Sequence, residues 1–85
     1  MRVKVLGKYW TLTFVPTLGA HGDCDDVSRT IRIKQGQSDR DTLDTVIHES
    51  LHAAAFDMFD ESYVDKLATD ISIILTRLGY KRQEK

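Results

Sequence analysis

The chain has 85 residues and a formal net charge of -1, which is the size of one small domain spanning 1–85. Neither charge sign is in excess, so the composition does not predict a nucleic-acid or membrane partner. Cys24 is the single cysteine, which excludes an internal disulfide. No apolar run approaches transmembrane length, and the N-terminus lacks the apolar segment of a signal peptide. We therefore expect a cytoplasmic protein.

The first predicted element is a β-hairpin over residues 2–15. Apolar and charged residues alternate at its start, and its second half is rich in aromatic and β-branched residues, which favour strands. Trp10, Leu12 and Phe14 are expected on one face of the second strand. Pro16 ends that strand, because proline has no N–H to donate to a ladder.

A loop is predicted for residues 16–28, where glycine and aspartate are frequent. Residues 29–34 then alternate in the manner of a half-buried strand, with Ile31 and Ile33 facing inward. If this strand lies at the edge of the sheet, it offers backbone groups to which an extended peptide can bind by strand addition.

Two helices follow the strands. Ser38 begins a capping box, and the first helix is expected to run from there to about Met58. Asp60 is the predicted N-cap of a second helix over 61–78, in which apolar residues recur every three or four positions. Gly79 has the character of a helix C-cap, because glycine adopts the left-handed conformation without strain.

These elements predict a β-β-β-α-α arrangement. The expected fold is α+β, with a three-stranded, mostly antiparallel sheet packed on an antiparallel two-helix hairpin. The short charged tail, residues 81–85, is expected to be frayed and solvated.

The first helix carries an H-E-x-x-H motif formed by His48, Glu49 and His52. Residues four apart lie on one side of a helix, so both imidazoles can bind a single divalent metal. Glu49 can then act as the general base on a water molecule. The alternative is a pair of hydrogen-bonded histidines beside an unrelated glutamate. The motif lies in mid-helix at the edge of an apolar face, which favours metal ligation over hydration.

A catalytic zinc usually has three protein ligands and one open position for water. Candidates for the third ligand are His21, Cys24, Asp44, Asp57, Asp60, Glu61 and Asp65. Geometry favours Glu61, because it opens the second helix beside the part of the first helix that carries His52. Asp65 lies one turn further on and is predicted to orient His48 or His52 through the other ring nitrogen. Helix-dipole stabilisation by Glu61 and a solvated surface position for Asp65 are the alternatives.

The motif His48-Glu49-x-x-His52 followed by Glu61-x-x-x-Asp65 resembles the gluzincin metallopeptidases. It is similar in particular to small phage and bacterial metallopeptidases with a SprT-like or minimal-gluzincin core. Further matching positions are Thr45, Ile47, Leu51, Ala53, Asp60 and Val64.

This resemblance covers about residues 29–79. It implies zinc bound by His48, His52 and Glu61, with Glu49 as the base and proton shuttle in peptide hydrolysis. The substrate is then a protein or a peptide, and the location is the host cytoplasm if the chain is phage-encoded.

The chain also departs from the gluzincin pattern. The gap between the second histidine and Glu61 is short, and no residue is an obvious stabiliser of the transition state; Tyr63, His21 and Tyr80 are the candidates. A catalytically silent, zinc-stabilised binding or regulatory module is the alternative function. In such a module Cys24 would occupy the fourth zinc position and close the site, unless it is simply a buried thiol.

Overall fold

The computed structural model describes residues 1–55 and 60–81. It contains a single four-stranded sheet and two helices, with the strand order β1-β2-β4-β3. The elements are β1 (Arg2–Val5), β2 (Lys8–Val15), β3 (Gly22–Asp25), β4 (Thr30–Lys34), α1 (Asp39–Ala54) and α2 (Glu61–Arg77). β1 pairs with β2 and β3 pairs with β4 in antiparallel fashion, whereas β2 and β4 are parallel.

The prediction of a three-stranded, mostly antiparallel sheet is therefore wrong. The sheet has four strands and is mixed, because residues 22–25 of the predicted loop form β3 at its edge. Glycine and aspartate have poor strand propensity, but pairing with β4 holds them in place. The Asp23 carboxylate binds the Arg32 guanidinium across these two strands through two hydrogen bonds.

A second correction concerns the strand over 30–34. β4 lies between β2 and β3, so its backbone groups are already paired on both sides. It cannot accept an added peptide strand, and the edges of the sheet are β1 and β3. The hairpin predicted for residues 2–15 is confirmed as β1 and β2, with Gly7 in the connecting turn at φ 79°.

The core lies between the sheet and α1. Trp10, Leu12, Ile31 and Ile33 are buried on one face of the sheet, and each such side chain contributes about 1.5–3 kcal/mol by leaving water. α1 packs against the sheet on one side and against α2 on the other. Because α1 is the middle layer, a polar side chain on it can be largely withdrawn from water.

The ends of the helices fix where the candidate ligands lie. The Ser38 hydroxyl accepts a hydrogen bond from the Asp41 N–H at 3.1 Å, and the Asp60 carboxylate accepts one from the Tyr63 N–H at 2.7 Å. Both predicted N-caps are thus confirmed. α1 ends at Ala54, earlier than predicted.

Parts of two predictions fall outside the described residues. Met58, the predicted end of the first helix, is one such residue. Residues 82–85 of the predicted tail also lie outside the described ranges. Gly79 has φ 90°, as expected for the residue that ends α2. Neither helix of the described ranges has the length and apolar character needed to cross a membrane.

Candidate metal centre

Three side chains from α1 and the start of α2 meet at one point. His48 and His52 lie one turn apart on α1, and their Nε2 atoms are 3.1 Å apart. The Glu61 carboxylate spans both rings: Oε1 is 2.8 Å from Nε2 of His48, and Oε2 is 3.0 Å from Nε2 of His52. The imidazoles are largely buried, at 15% and 19% exposure, whereas Glu61 is 67% exposed. The site therefore has a dry floor and a solvent-facing rim.

The other ring nitrogen of His48 is also occupied. Its Nδ1 lies 3.2 Å from Oδ1 of Asp65, one turn beyond Glu61 on α2. A ring whose Nδ1–H is donated to this carboxylate carries a lone pair on Nε2. In that tautomer the Nε2 lone pair of His48 points towards Glu61 and His52.

This arrangement suits a divalent cation. Lone pairs of His48, His52 and Glu61 face one another at hydrogen-bonding distance, so protons or a cation must lie between them to offset their repulsion. One ligand atom from each residue lies within 4.8 Å of the others. Tetrahedral zinc with bonds of about 2.0–2.1 Å separates its ligand atoms by about 3.3–3.4 Å. The three side chains need to part by only a few tenths of an ångström to reach that spacing.

Glu49 lies beside the cluster in a nearly dry position. Its side chain projects from α1 towards β3, and the residue is only 7% exposed. Burial raises the pKa of the Glu49 carboxyl, while the neighbouring His48 and His52 act in the opposite direction. A carboxyl with a raised pKa is a stronger base than one in water, as a general base requires.

Gly22 explains how Glu49 comes to be buried. A Cβ built at position 22 would lie 2.6 Å from Cγ2 of Thr45, 2.9 Å from the Arg32 carbonyl oxygen and 3.2 Å from Cγ of Glu49. Only a residue without a side chain lets β3 approach α1 so closely. This role of Gly22 has no local signal in the sequence, because Gly22 lies in the segment predicted to be a loop.

Two of the candidate ligands, His48 and Glu61, line a cleft of about 330 Å³ between β3, α1 and α2. Its lining residues are Ala20, His21, Gly22, Asp41, Asp44, Thr45, His48, Glu49, Glu61, Asp65 and Thr69. Asp41 and Asp44 lie on the same side of α1 as His48, so their helical spacing was a signal that the sequence did contain. The part contributed by β3 had no comparable local signal.

The three candidate stabilisers of a transition state are placed differently. His21 lines the cleft, whereas Tyr63 and Tyr80 do not. The His21 backbone is fixed, because its carbonyl accepts hydrogen bonds from the Lys34 N–H at 2.9 Å and from the Gln37 side chain at 3.2 Å. His21 is thus held at the rim opposite the ligands of α1.

Cys24 is not among the described residues that make up the ligand cluster. It packs partly buried against the sheet core. Burial, followed by the charges of Glu49 and nearby aspartates, raises the pKa of the Cys24 thiol to about 12. A thiol in this state is protonated at neutral pH, so the residue is better described as a small core side chain than as a metal ligand.

Comparisons of the chain with models of known protein families, with curated proteins and with solved structures find no match. The resemblance to gluzincins thus depends on the motif alone. The geometry of the site is a separate argument for metal binding, because it rests on the atoms that converge there and not on similarity to a known family.

Proposed function

We propose that the protein is a zinc-dependent metallopeptidase that hydrolyses peptide bonds in a protein or peptide substrate. The observation that carries the proposal is the convergence of His48, His52 and Glu61 beside a cleft. Of these three ligands His48 and Glu61 line the cleft, together with Glu49. Two imidazoles and one carboxylate are a ligand set that catalytic zinc uses, and a neighbouring carboxylate is what its chemistry requires.

Each residue has a distinct role in this mechanism. His48, His52 and Glu61 hold the metal, and Asp65 fixes the His48 ring. Bound there, zinc would supply Lewis acidity, which lowers the pKa of water towards neutrality and polarises a carbonyl group. Glu49 takes a proton from the attacking water and then delivers it to the departing amine.

The edge strand β3 is the natural place for the substrate backbone. The His21 carbonyl faces Lys34, and Asp23 pairs with Arg32, so alternate residues of this segment bond to β4. The N–H and C=O groups of Gly22 and Cys24 then point away from β4 towards the open edge. An extended peptide that adds to this edge would pass Gly22, which borders the cleft.

His21 is suited to stabilise the oxyanion. A histidine N–H at the cleft rim can donate a hydrogen bond to the carbonyl oxygen as negative charge develops on it. Of the three candidates, it is the one that lines the cleft.

The openness of the cleft supports a peptidase over a silent zinc module. A structural zinc site has four protein ligands, whereas a catalytic site keeps one position for water. Among the described residues, three candidate metal ligands lie together, and Cys24 lies outside that cluster.

The test is to load the protein with zinc, measure the metal stoichiometry, and compare the wild type with Glu49→Gln in peptide hydrolysis. We expect one zinc per chain in both proteins and loss of turnover in the variant alone. Asp39→Asn is the matched control, because it removes a carboxylate from the exposed first turn of the same helix. Equal hydrolysis by the wild type and Glu49→Gln would contradict the catalytic assignment. Zinc binding without turnover in either protein would instead favour the silent module.

A further inference from the structure

We propose that the cleft selects a positively charged side chain, lysine or arginine, from the substrate, and that Asp44 determines this specificity. The inference depends on the proposed peptidase function and adds a substrate class to it. It begins from the distribution of charge. The chain as a whole is nearly neutral, yet within residues 1–55 and 60–81 no lysine or arginine lines the cleft.

Carboxylates dominate that lining. They are Asp41, Asp44, Glu49, Glu61 and Asp65. A divalent metal would offset only two of these five negative charges, so the loaded cleft still attracts cations. In a partly enclosed cleft such an attraction is stronger than on an open surface, because less water screens it.

A buried acid in the same cleft is a second, separate observation. Glu49 is 7% exposed and lines the cleft. No hydrogen bond to its carboxylate is formed within residues 1–55 and 60–81, and none of the buried side-chain oxygens there lacks a partner, so the Glu49 oxygens reach the solvent of the cleft. The carboxylate thus faces the space that the substrate enters. Its negative charge therefore favours a ligand that brings positive charge.

The other carboxylates already have roles. Glu61 contacts both imidazoles, and Asp65 contacts His48. Asp41 and Asp44 remain, and Asp44 is the nearer to the candidate ligands, one turn before His48 on the same side of α1 and about 6 Å away along the helix axis. This distance places Asp44 within reach of a long side chain on a residue near the cleaved bond.

Asp44 is also held rigidly. The Thr69 hydroxyl of α2 donates a hydrogen bond to its Oδ2 at 2.9 Å. Within the described part of the chain, no donor occupies Oδ1, so this oxygen is left for a cation. A carboxylate that is fixed on one side and open on the other is pre-organised for an ammonium or guanidinium group.

The experiment measures binding without requiring turnover. Fluorescent peptides that carry one lysine, at each of several positions in turn, are compared with the same peptides carrying glutamine. Binding to zinc-loaded Glu49→Gln protein is followed by fluorescence anisotropy. We expect a preference for lysine at one position of roughly tenfold, the size expected of a hydrogen bond to a charged group. Adding Asp44→Asn should abolish most of this preference, because asparagine keeps the oxygen that accepts from Thr69 but loses the charge.

Two controls make the result specific. Asp39→Asn removes the same charge from α1 outside the cleft and should leave the lysine preference unchanged. In the protein with Asp44 intact, rising NaCl should reduce the preference, and this result does not depend on whether the variant folds. A lysine preference that survives Asp44→Asn, or that is absent from the start, would overturn the proposal.

Failure of the inference and failure of the proposed function give different results. If the wild type cleaves peptides but lysine and glutamine peptides bind equally, the specificity proposal is wrong and the peptidase proposal stands. If lysine peptides bind through Asp44 but no peptide is cleaved, the peptidase proposal is wrong and the cleft is a site for cationic peptides.

Discussion

Nδ1 of His48 lies 3.2 Å from the Asp65 carboxylate, so a residue of α2 sets the orientation of a proposed ligand on α1. Asp65→Asn would weaken the acceptor that orients this ring and raises its basicity. We expect zinc affinity to fall by about 10- to 100-fold, measured by competition with a chromogenic chelator. Asp70→Asn, an exposed residue of the same helix outside the cleft lining, is the control. Equal affinities in the two variants would show that Asp65 is only a surface residue.

The contact between β3 and α1 predicts a large effect of a single methyl group. In Gly22→Ala, the new Cβ meets the Thr45 side chain and the Arg32 carbonyl, and the backbone carbonyl cannot rotate away. We expect a loss of about 1–3 kcal/mol in the free energy of unfolding, measured with urea. Gly19→Ala is the matched control, because nothing lies within 4 Å of its Cβ. If both variants unfold at the same urea concentration, β3 does not approach α1 as closely as the structure describes.

Local patterns were enough to predict β4, the N-caps of both helices and the shared side of His48 and His52. Each depends on residues within a few positions of one another, so the sequence contains the whole cause. The antiparallel packing of the two helices could also be predicted, because the connection before Glu61 is short. That connection brought the third candidate ligand into the prediction as well.

β3 could not be predicted in the same way. Gly22-Asp23-Cys24-Asp25 has none of the residues that favour strands, and it forms a strand because β4 pairs with it. This is a contact between distant segments, which local propensity does not record. β3 lies between β2 and β4 in the chain and runs antiparallel to β4, so β2 and β4 are parallel. β3 also places His21 at the cleft. The part of the site that local sequence patterns do not predict is thus the part that β3 contributes.

Cys24 should react slowly with iodoacetamide in the native protein. Its thiol has a pKa raised from 9.0 to about 12, and only the thiolate is the nucleophile. At pH 8 the thiolate fraction is lower than in the unfolded chain by roughly a thousandfold, because each unit by which the pKa is raised lowers that fraction about tenfold. We expect alkylation of the native protein to be slower by about that factor than alkylation in urea, as measured by mass spectrometry.

The same shift has a consequence for stability. The folded state holds the Cys24 proton more tightly than the unfolded state. The protonated thiol therefore contributes to the free energy of unfolding, and this contribution is fully present below pH 9 and is lost as the pH rises towards 12. Cys24→Ala should lack this part of the alkaline loss, measured by urea unfolding from pH 8 to pH 11. Rapid labelling of the native thiol at pH 8 would instead indicate an exposed or activated cysteine.

The last prediction concerns His21, which directly precedes the edge strand β3 and lines the cleft of the proposed active site. If its N–H stabilises the developing oxyanion, His21→Ala should lower kcat by about a hundredfold and change KM little. Zinc stoichiometry should stay at that of the wild type, since His21 is not part of the ligand cluster. Tyr80→Phe serves as the control, because Tyr80 follows the end of α2 and does not line the cleft. A rise in KM at unchanged kcat would assign His21 to substrate binding, and no change in either constant would remove it from the mechanism.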